Sequence, residues 1–332
     1  MLQSPEAGRP IDGRIEGAFG EADGWAPYAP DRDHTCQTRL MIGDPISGPL
    51  VWLFDGAPVS RADGKDHTPP YPHLHRTATF RVALGDQAKQ LYLNNAWYGP
   101  GDYFLLEANK VYTDPHGVAG YRQLLIFGDR RGMHPAAKDT AGMSSDELAA
   151  WNANLFGSFG GGLPSVHAHN DDATMGAAIT THEKLDHGGQ ARGSFSDPSD
   201  WSGLSDGSRV AGVFMGDEAA GPAVVMTVNA PGAAEPAGVC GADLVRLVAR
   251  GSCTIGGRRY PAGSYLACEA GADMGEVVHG PQGSTQIIVA SDRRGWAPSD
   301  EGGVRAISRR LDEIDRILSG HLARQALAAG TL

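Results

Sequence analysis

The stretch YGPGDYFLLEA at 98–108 returns as YPAGSYLACEA at 260–270, and this repetition decides the fold. Two further pairs keep the same order along the chain: MIGDPISGPLVW (41–52) with FMGDEAAGPAVV (214–225), and YRQLLIFGDRRG (121–132) with STQIIVASDRRG (284–295). The partners lie 162 to 173 residues apart, a drift that small loop insertions explain. The chain is therefore predicted to be one structural unit made twice.

Each copy has the pattern of short β-strands. Apolar or alternating runs such as Thr77–Leu84 and Gln123–Phe127 lie between clusters of Gly, Pro, Asn and Asp, which is typical of strands bounded by turns. After each DRRG the pattern becomes helical, with a capping-box sequence at Ser144 and an apolar spacing of three and four residues from Val304 to Leu318. The unit is predicted to be a β-barrel followed by a helix.

These patterns divide the chain into five predicted segments. They are an N-terminal arm (1–30), an N-terminal barrel (31–156), a connecting segment rich in glycine and polar residues (157–208), a C-terminal barrel (209–300) and a C-terminal amphipathic helix (301–332).

Composition excludes several classes of partner. The formal charge of −11 argues against nucleic acid, since a phosphate backbone requires a basic face. No run of 18 apolar residues is present, and the first 30 residues lack the pattern of a signal peptide. The four cysteines form no CxxC pair, which favours reduced thiols. We expect a cytoplasmic protein that contacts no membrane and takes a small-molecule substrate.

Two stretches resemble the motifs of the cupin superfamily. PHLHRTATFRVALG (72–85) is similar to its first motif, a HxH pair followed by a glycine, and GPGDYFLLEANKVYTDPHG (99–117) is similar to its second, a PxG turn followed by a histidine. The resemblance extends over about 41–132 and 214–295. It implies an all-β bicupin fold of two tandem cupin barrels (double-stranded β-helix or jelly roll), often with a mononuclear metal inside a barrel.

Three histidines of the first copy suit a metal. His73 and His75 point to the same face of a strand, because side chains alternate, and His116 follows the second motif. Three imidazoles with open positions opposite suit one divalent ion, which can be Fe(II), Zn, Mn or Ni, and the resemblance implies Fe(II). The family's glutamate position falls on Thr79, so the ion keeps its full charge and favours an anionic substrate.

The second copy departs from the metal motif. Val239 and Gly241 stand roughly where the HxH pair is expected, and only His279 remains, opposite His116. A degenerate site is therefore predicted in the C-terminal barrel.

Four further residues are candidates for catalysis or substrate binding. Arg81 lies on the strand face of both histidines, where it pairs with a substrate carboxylate or forms a buried salt bridge. Tyr71 and Tyr112 have no counterpart in the second copy, and one of them is expected in the pocket. His67, in a loop, is either an acid/base or a solvated histidine.

The leading functional hypothesis is a mononuclear Fe(II) dioxygenase that acts on a small anionic, aromatic or enolisable substrate. It rests on the resemblance to three-histidine cupins, which include gentisate-type and diketone-cleaving dioxygenases. A metal-dependent lyase, isomerase or hydrolase is the second hypothesis, and a non-enzymatic ligand-binding bicupin is the third. A homodimer is the predicted assembly.

Overall fold

The computed structural model describes residues 1–28, 35–45, 47–58, 75, 77–93, 96–108, 117–133, 185–186, 190–215, 221–297 and 309–328. Within them the chain forms two large antiparallel sheets, one for each copy of the repeat, and one long helix. The predicted all-β, tandem architecture is confirmed.

The N-terminal sheet has eight strands, in the order β10-β11-β8-β5-β9-β4-β3-β2. Their bounds, with those of the separate hairpin β6–β7, are β2 Ala26–Pro27, β3 Thr35–Met41, β4 Leu50–Gly56, β5 Thr79–Ala83, β6 Leu91–Leu93, β7 Ala96–Tyr98, β8 Asp102–Leu106, β9 Tyr121–Phe127, β10 Leu185–Asp186 and β11 Gln190–Ser194.

The C-terminal sheet has nine strands, with the main order β1-β18-β16-β19-β14-β13-β12. Their bounds are β1 Arg14–Ala18, β12 Ser202–Gly203, β13 Arg209–Phe214, β14 Ala223–Asn229, β15 Ala234–Glu235, β16 Leu244–Ile255, β17 Arg258–Pro261, β18 Ser264–Cys268 and β19 Val277–Ala290. Strand by strand, this order repeats that of the N-terminal sheet, so the repeat in sequence is a repeat in topology.

The first strand of each copy pairs with the sheet of the other copy. β1, from the predicted N-terminal arm, pairs with β18, and β11, from the predicted connecting segment, pairs with β8. Each exchanged strand places a glycine opposite a buried tyrosine: Gly17 faces Tyr265, and Gly193 faces Tyr103. The two halves are thus joined by reciprocal strand exchange as well as by the chain.

Each sheet has two buried faces. One face of each contributes to a single hydrophobic cluster that includes Leu53 and Ile126 of the N-terminal sheet and Val224 and Ile287 of the C-terminal sheet; we call this the shared face. The opposite side of each sheet is called the far face. Because β4 and β9 are buried on both faces, their sequences are nearly continuous apolar runs instead of alternating ones.

Further elements cover the far faces. In the N-terminal half, Leu91 and Tyr98 of the β6–β7 hairpin pack on Phe104 and Leu106. In the C-terminal half, the helix α1 (Arg309–Ala328) packs its apolar residues, among them Leu311, on the β14 and β19 side chains. The C-terminal helix predicted from the 3- and 4-residue spacing is confirmed over these residues, and it covers its own sheet. The helix predicted after Ser144 lies outside the described residues.

Candidate functional site

Two of the predicted site residues, His75 and Arg81, lie in the described part of the chain. His73, His116, Tyr71, Tyr112 and His67 lie outside the described residues, so the convergence of three histidines stays a prediction. Among the described residues, no group of three His, Cys, Asp or Glu side chains is arranged to hold a metal.

His75 is buried on the far face of the N-terminal sheet. Its ring meets the edge of Phe127, with centroids 4.8 Å apart and an interplanar angle of 80°. Its Nδ1 makes a hydrogen bond with the carbonyl oxygen of Met133. A carbonyl oxygen only accepts, so Nδ1 carries the proton and Nε2 is the nitrogen with the lone pair. Histidines that ligate metals are commonly held in this way, so His75 fits the predicted role.

Arg81 lies in the middle of β5, with 3% of its surface exposed. It stands opposite Phe104 of β8 on one side and Leu125 of β9 on the other. Residues directly opposite each other in antiparallel strands share a face, so its guanidinium belongs to the far face, as does the ring of Phe127 beside His75. A buried guanidinium stays charged, and an anion is the natural partner for it.

A row of residues crosses the far face at the level of Arg81. From β11 to β3 it reads Arg192, Phe104, Arg81, Leu125, Trp52 and Arg39. Arg39 at one end is neutralised by Glu6, whose Oε1 lies 2.6 Å from Nε of Arg39. The row therefore carries three arginines, of which Arg39 forms an ion pair with Glu6.

Arg192 reaches this row on the exchanged strand β11. Its guanidinium carbon lies 5.9 Å from the ring centroids of both Tyr98 and Phe104, which is within cation–π range. Its Nε is buried and has no hydrogen-bond partner among the described residues. Sequence reasoning missed Arg192, because it assigned 157–208 to a connection.

The equivalent row of the C-terminal sheet has a different charge balance. It reads Glu16, Leu266, Arg246, Ile288, Val225 and Gly212. Arg246 thus occupies the position of Arg81, and Glu16 that of Arg192. Glu16 forms an ion pair with Arg258 and accepts a hydrogen bond of 2.8 Å from Tyr260 Oη. Both charges of this row are paired within the protein.

The partner of Arg246 is Glu235, on β15. Nη2 of Arg246 lies 2.6 Å from Oε2 of Glu235, and both side chains are about 2–3% exposed. Burial alone raises the pKa of a carboxyl, but the Arg246 guanidinium and the hydrogen bonds to Glu235 lower its pKa well below the usual range. The carboxylate is therefore ionised, and the buried charge of Arg246 is balanced.

His279, the counterpart of His116, lies beside the same carboxylate, that of Glu235. Its Nε2 lies 3.7 Å from Oε1 of Glu235, and its Nδ1 lies 2.9 Å from Oγ of Ser284. Gln286, the counterpart of Gln123, contacts both Arg246 and His279. In this half the histidine belongs to a buried polar network of side chains.

The strand register aligns Arg81 with Arg246. In the sequence, Cys240 precedes Arg246 by the same number of residues as His75 precedes Arg81. Thr79 corresponds to Leu244 in the same register. Both halves therefore lack the family's glutamate, and the second also lacks both histidines.

A separate cavity of about 630 Å³ lies at one end of the N-terminal sheet. Its lining includes Trp25, Asp55, Tyr121 and Arg122. Arg122 forms an ion pair of 3.1 Å with Asp55, so this charge is compensated. His75 and Arg81 do not line the cavity, which is therefore distinct from the predicted metal site.

Comparison with known proteins found solved structures of similar fold. A tryptophan variant of oxalate decarboxylase from Bacillus subtilis is 14% identical, with 84% of this chain and 77% of that chain covered and a TM-score of 0.42. A cupin 2 conserved barrel domain protein from Leptotrichia buccalis is 8% identical, with 77% and 88% covered and a TM-score of 0.42. No family model matches, and no curated protein matches.

These likenesses carry no argument about activity, metal or substrate, because the identities lie far below 25% and the TM-scores below 0.5. No helix in the described part of the chain is long and apolar enough to cross a membrane. By its internal repeat and the matching order of its strands, the chain has the tandem all-β fold predicted from its sequence.

Proposed function

We propose that the N-terminal half holds one divalent metal ion on His73, His75 and His116, and that the protein is a metal-dependent enzyme acting on a small anionic substrate. The observation that carries this proposal is the setting of His75. It is buried on the far face, and the Met133 carbonyl fixes its Nδ1 proton, which is the arrangement that commonly orients a metal-binding histidine. Fe(II), the ion favoured by the sequence, supplies redox chemistry with O₂ when bound.

The residues of the chain then bind and orient the substrate. Three neutral imidazoles leave the charge of a divalent ion uncompensated, and Arg81 adds a further positive charge on the same face. A carboxylate or enolate oxygen is attracted to both. The apolar side chains around Arg81, among them Phe104 and Leu125, exclude water and strengthen this attraction. We further propose that the enzyme is a dioxygenase and that His67, Tyr71 or Tyr112 carries the proton.

Metal content tests the proposal, with a matched pair of variants. Protein purified without chelators is expected to hold about one metal ion per chain. His75→Ala is expected to lose it, whereas Cys240→Ala, at the equivalent position of the other half, is expected to keep it. Full metal occupancy in folded His75→Ala protein contradicts the ligand assignment.

Oxygen uptake on catechols, gentisate-like acids and 1,3-diketones separates the chemical classes. Uptake by iron-loaded protein supports the dioxygenase. Turnover without uptake supports a lyase, isomerase or hydrolase, and ligand binding by metal-free protein supports a binding bicupin. The homodimer is part of this proposal, and light scattering of the purified protein tests it.

A further inference from the structure

The cavity at one end of the N-terminal sheet points to a second binding site. We propose that it binds a small organic cation, a guanidinium or primary ammonium group on an apolar body. Its volume of about 630 Å³ lies within the range of roughly 300–1,000 Å³ that is usual for small-molecule sites. This binding goes beyond the proposed function, because it requires neither the metal nor the reaction.

The cavity and His75 lie at opposite ends of the same strand. Gly56 and Tyr121 line the cavity, and they pair with each other where β4 ends and β9 begins. The ring of His75 instead contacts Phe127, the last residue of β9. The length of β9 is about 20 Å at the usual rise per residue. The cavity is therefore a different site from the predicted metal centre.

The repeat places an arginine where the cavity has a cysteine. Cys36 of β3 lines the cavity and pairs with Pro27 of β2. Arg209 of β13 pairs in the same way with Gly203 of β12. Because β2 and β3 correspond to β12 and β13 in the repeated strand order, Cys36 and Arg209 occupy equivalent positions.

In the C-terminal half, a guanidinium fills this position. Nη1 of Arg209 lies 3.1–3.2 Å from three carbonyl oxygens, those of Pro198, Ser199 and Trp201. These carbonyls belong to the turn between the exchanged strand β11 and β12, which is closed by a hydrogen bond from the Trp201 N–H to the Pro198 carbonyl. The turn therefore accepts a cation at this end of the sheet.

The N-terminal half repeats the turn without the arginine. Between the exchanged strand β1 and β2, the Trp25 N–H donates to the Ala22 carbonyl. Both turns also carry a Phe–Trp ring pair, with centroids 5.2 Å apart for Phe19 and Trp25 and 5.5 Å apart in the C-terminal half. Ala22, Trp25 and Cys36 all line the cavity. A cation from outside the chain therefore fits the place that the Arg209 guanidinium has in the other half.

The charges of the lining also favour a cation. Its charged residues are Glu21, Asp55, Asp86 and Arg122. Arg122 forms an ion pair of 3.1 Å with Asp55, so the carboxylates of Glu21 and Asp86 are in excess. The rings of Trp25 and Tyr121 supply aromatic walls, which attract a cation and its apolar body.

Calorimetric titration with benzylammonium, and with benzyl alcohol as its uncharged analogue, tests the proposal. The wild type is expected to bind benzylammonium about tenfold more tightly than the alcohol. Cys36→Arg gives the N-terminal half the residue that the C-terminal half has, so its guanidinium is expected to fill the cavity and abolish binding. Cys36→Ser changes the same side chain without filling the cavity, and it is expected to keep the affinity of the wild type.

A charge variant covers the case in which Cys36→Arg does not fold. Glu21→Gln with Asp86→Asn removes the two excess carboxylates of the lining, and the affinity for benzylammonium is expected to fall about tenfold. Asp273→Asn with Glu276→Gln removes two exposed carboxylates of the C-terminal half. This matched control is expected to leave the affinity unchanged.

Two results overturn the proposal. One is a wild type that binds benzylammonium no more tightly than benzyl alcohol. The other is a folded Cys36→Arg variant, or a folded Glu21→Gln, Asp86→Asn variant, that binds benzylammonium as tightly as the wild type.

Discussion

On the far face of the N-terminal sheet, Arg81 lies between Phe104 and Leu125, and on that of the C-terminal sheet Arg246 lies between Leu266 and Ile288. Beside each arginine the next strand carries a glutamine at an equivalent position, Gln123 or Gln286. The backbone frame is therefore the same in both halves. What differs is the residue on the exchanged strand, which is Glu16 in the C-terminal row and Arg192 in the N-terminal row.

This difference separates a structural role from a binding role for the same residue type. A buried ion pair such as Arg246–Glu235 is complete without a ligand, and it joins Gln286 and His279 in one polar network. The N-terminal far face instead carries His75, which fits the predicted metal site. We therefore expect the C-terminal half to act as a scaffold and the N-terminal half to carry the chemistry.

The largest effect is expected from breaking the buried pair of the C-terminal half. Glu235→Gln leaves the Arg246 charge uncompensated, and we expect a loss of about 3–5 kcal/mol in the free energy of unfolding. Replacing both residues, Glu235→Leu with Arg246→Met, is expected to recover most of the loss. Denaturant unfolding measures both.

The same pair predicts a pH dependence. The pKa of Glu235 is lowered in the folded state, so its contribution is present above the ordinary carboxyl pKa of about 4.3 and is lost as the pH falls well below that value. The stability difference between the wild type and Glu235→Gln should therefore shrink in acid. A difference that stays constant from pH 7 to pH 3 contradicts this reading of the pair.

A smaller effect is expected at the exchanged strands, and it compares the two halves directly. A Cβ on Gly193 meets the ring of Tyr103, and a Cβ on Gly17 meets that of Tyr265. Alanine at either position is expected to cost about 1–3 kcal/mol, since the tyrosine has to move. Only Gly193→Ala acts on the sheet that carries the predicted metal site, so it alone should lower metal occupancy. Equal loss of metal in Gly17→Ala contradicts the assignment of the metal site to the N-terminal half.

Much of the fold could be predicted because the turn sequences recur in both copies of the repeat. The Gly-Asp and Asp-Arg-Arg-Gly segments, and the turns Gly-Pro-Gly (99–101) and Pro-Ala-Gly (261–263), fix turn geometry in both copies, and they bracket strands whose apolar runs are long enough to identify. The exchanged strands were missed for a physical reason. RIEGA and QARGS are five residues long with little apolar character, and their pairing with β18 and β8 is set by contacts distant in sequence.

The candidate site was predictable in part. His75 and Arg81 were identified because alternation along one strand places them on one face, which the register supports for Arg81. The equivalence of Arg81 and Arg246 was missed, since few identities surround it and only strand pairing aligns the two. Glu235 lies in PGAAEPAG, which looks like a polar loop, and nothing local indicates that its carboxylate is buried against an arginine.

Metal content of the matched variants His116→Ala and His279→Ala tests the division of roles most directly, because the two histidines occupy equivalent positions in the repeat. The account predicts that His279→Ala retains about one metal ion per chain and that His116→Ala loses it while remaining folded. Metal retained in His116→Ala, or lost in His279→Ala alone, contradicts the account.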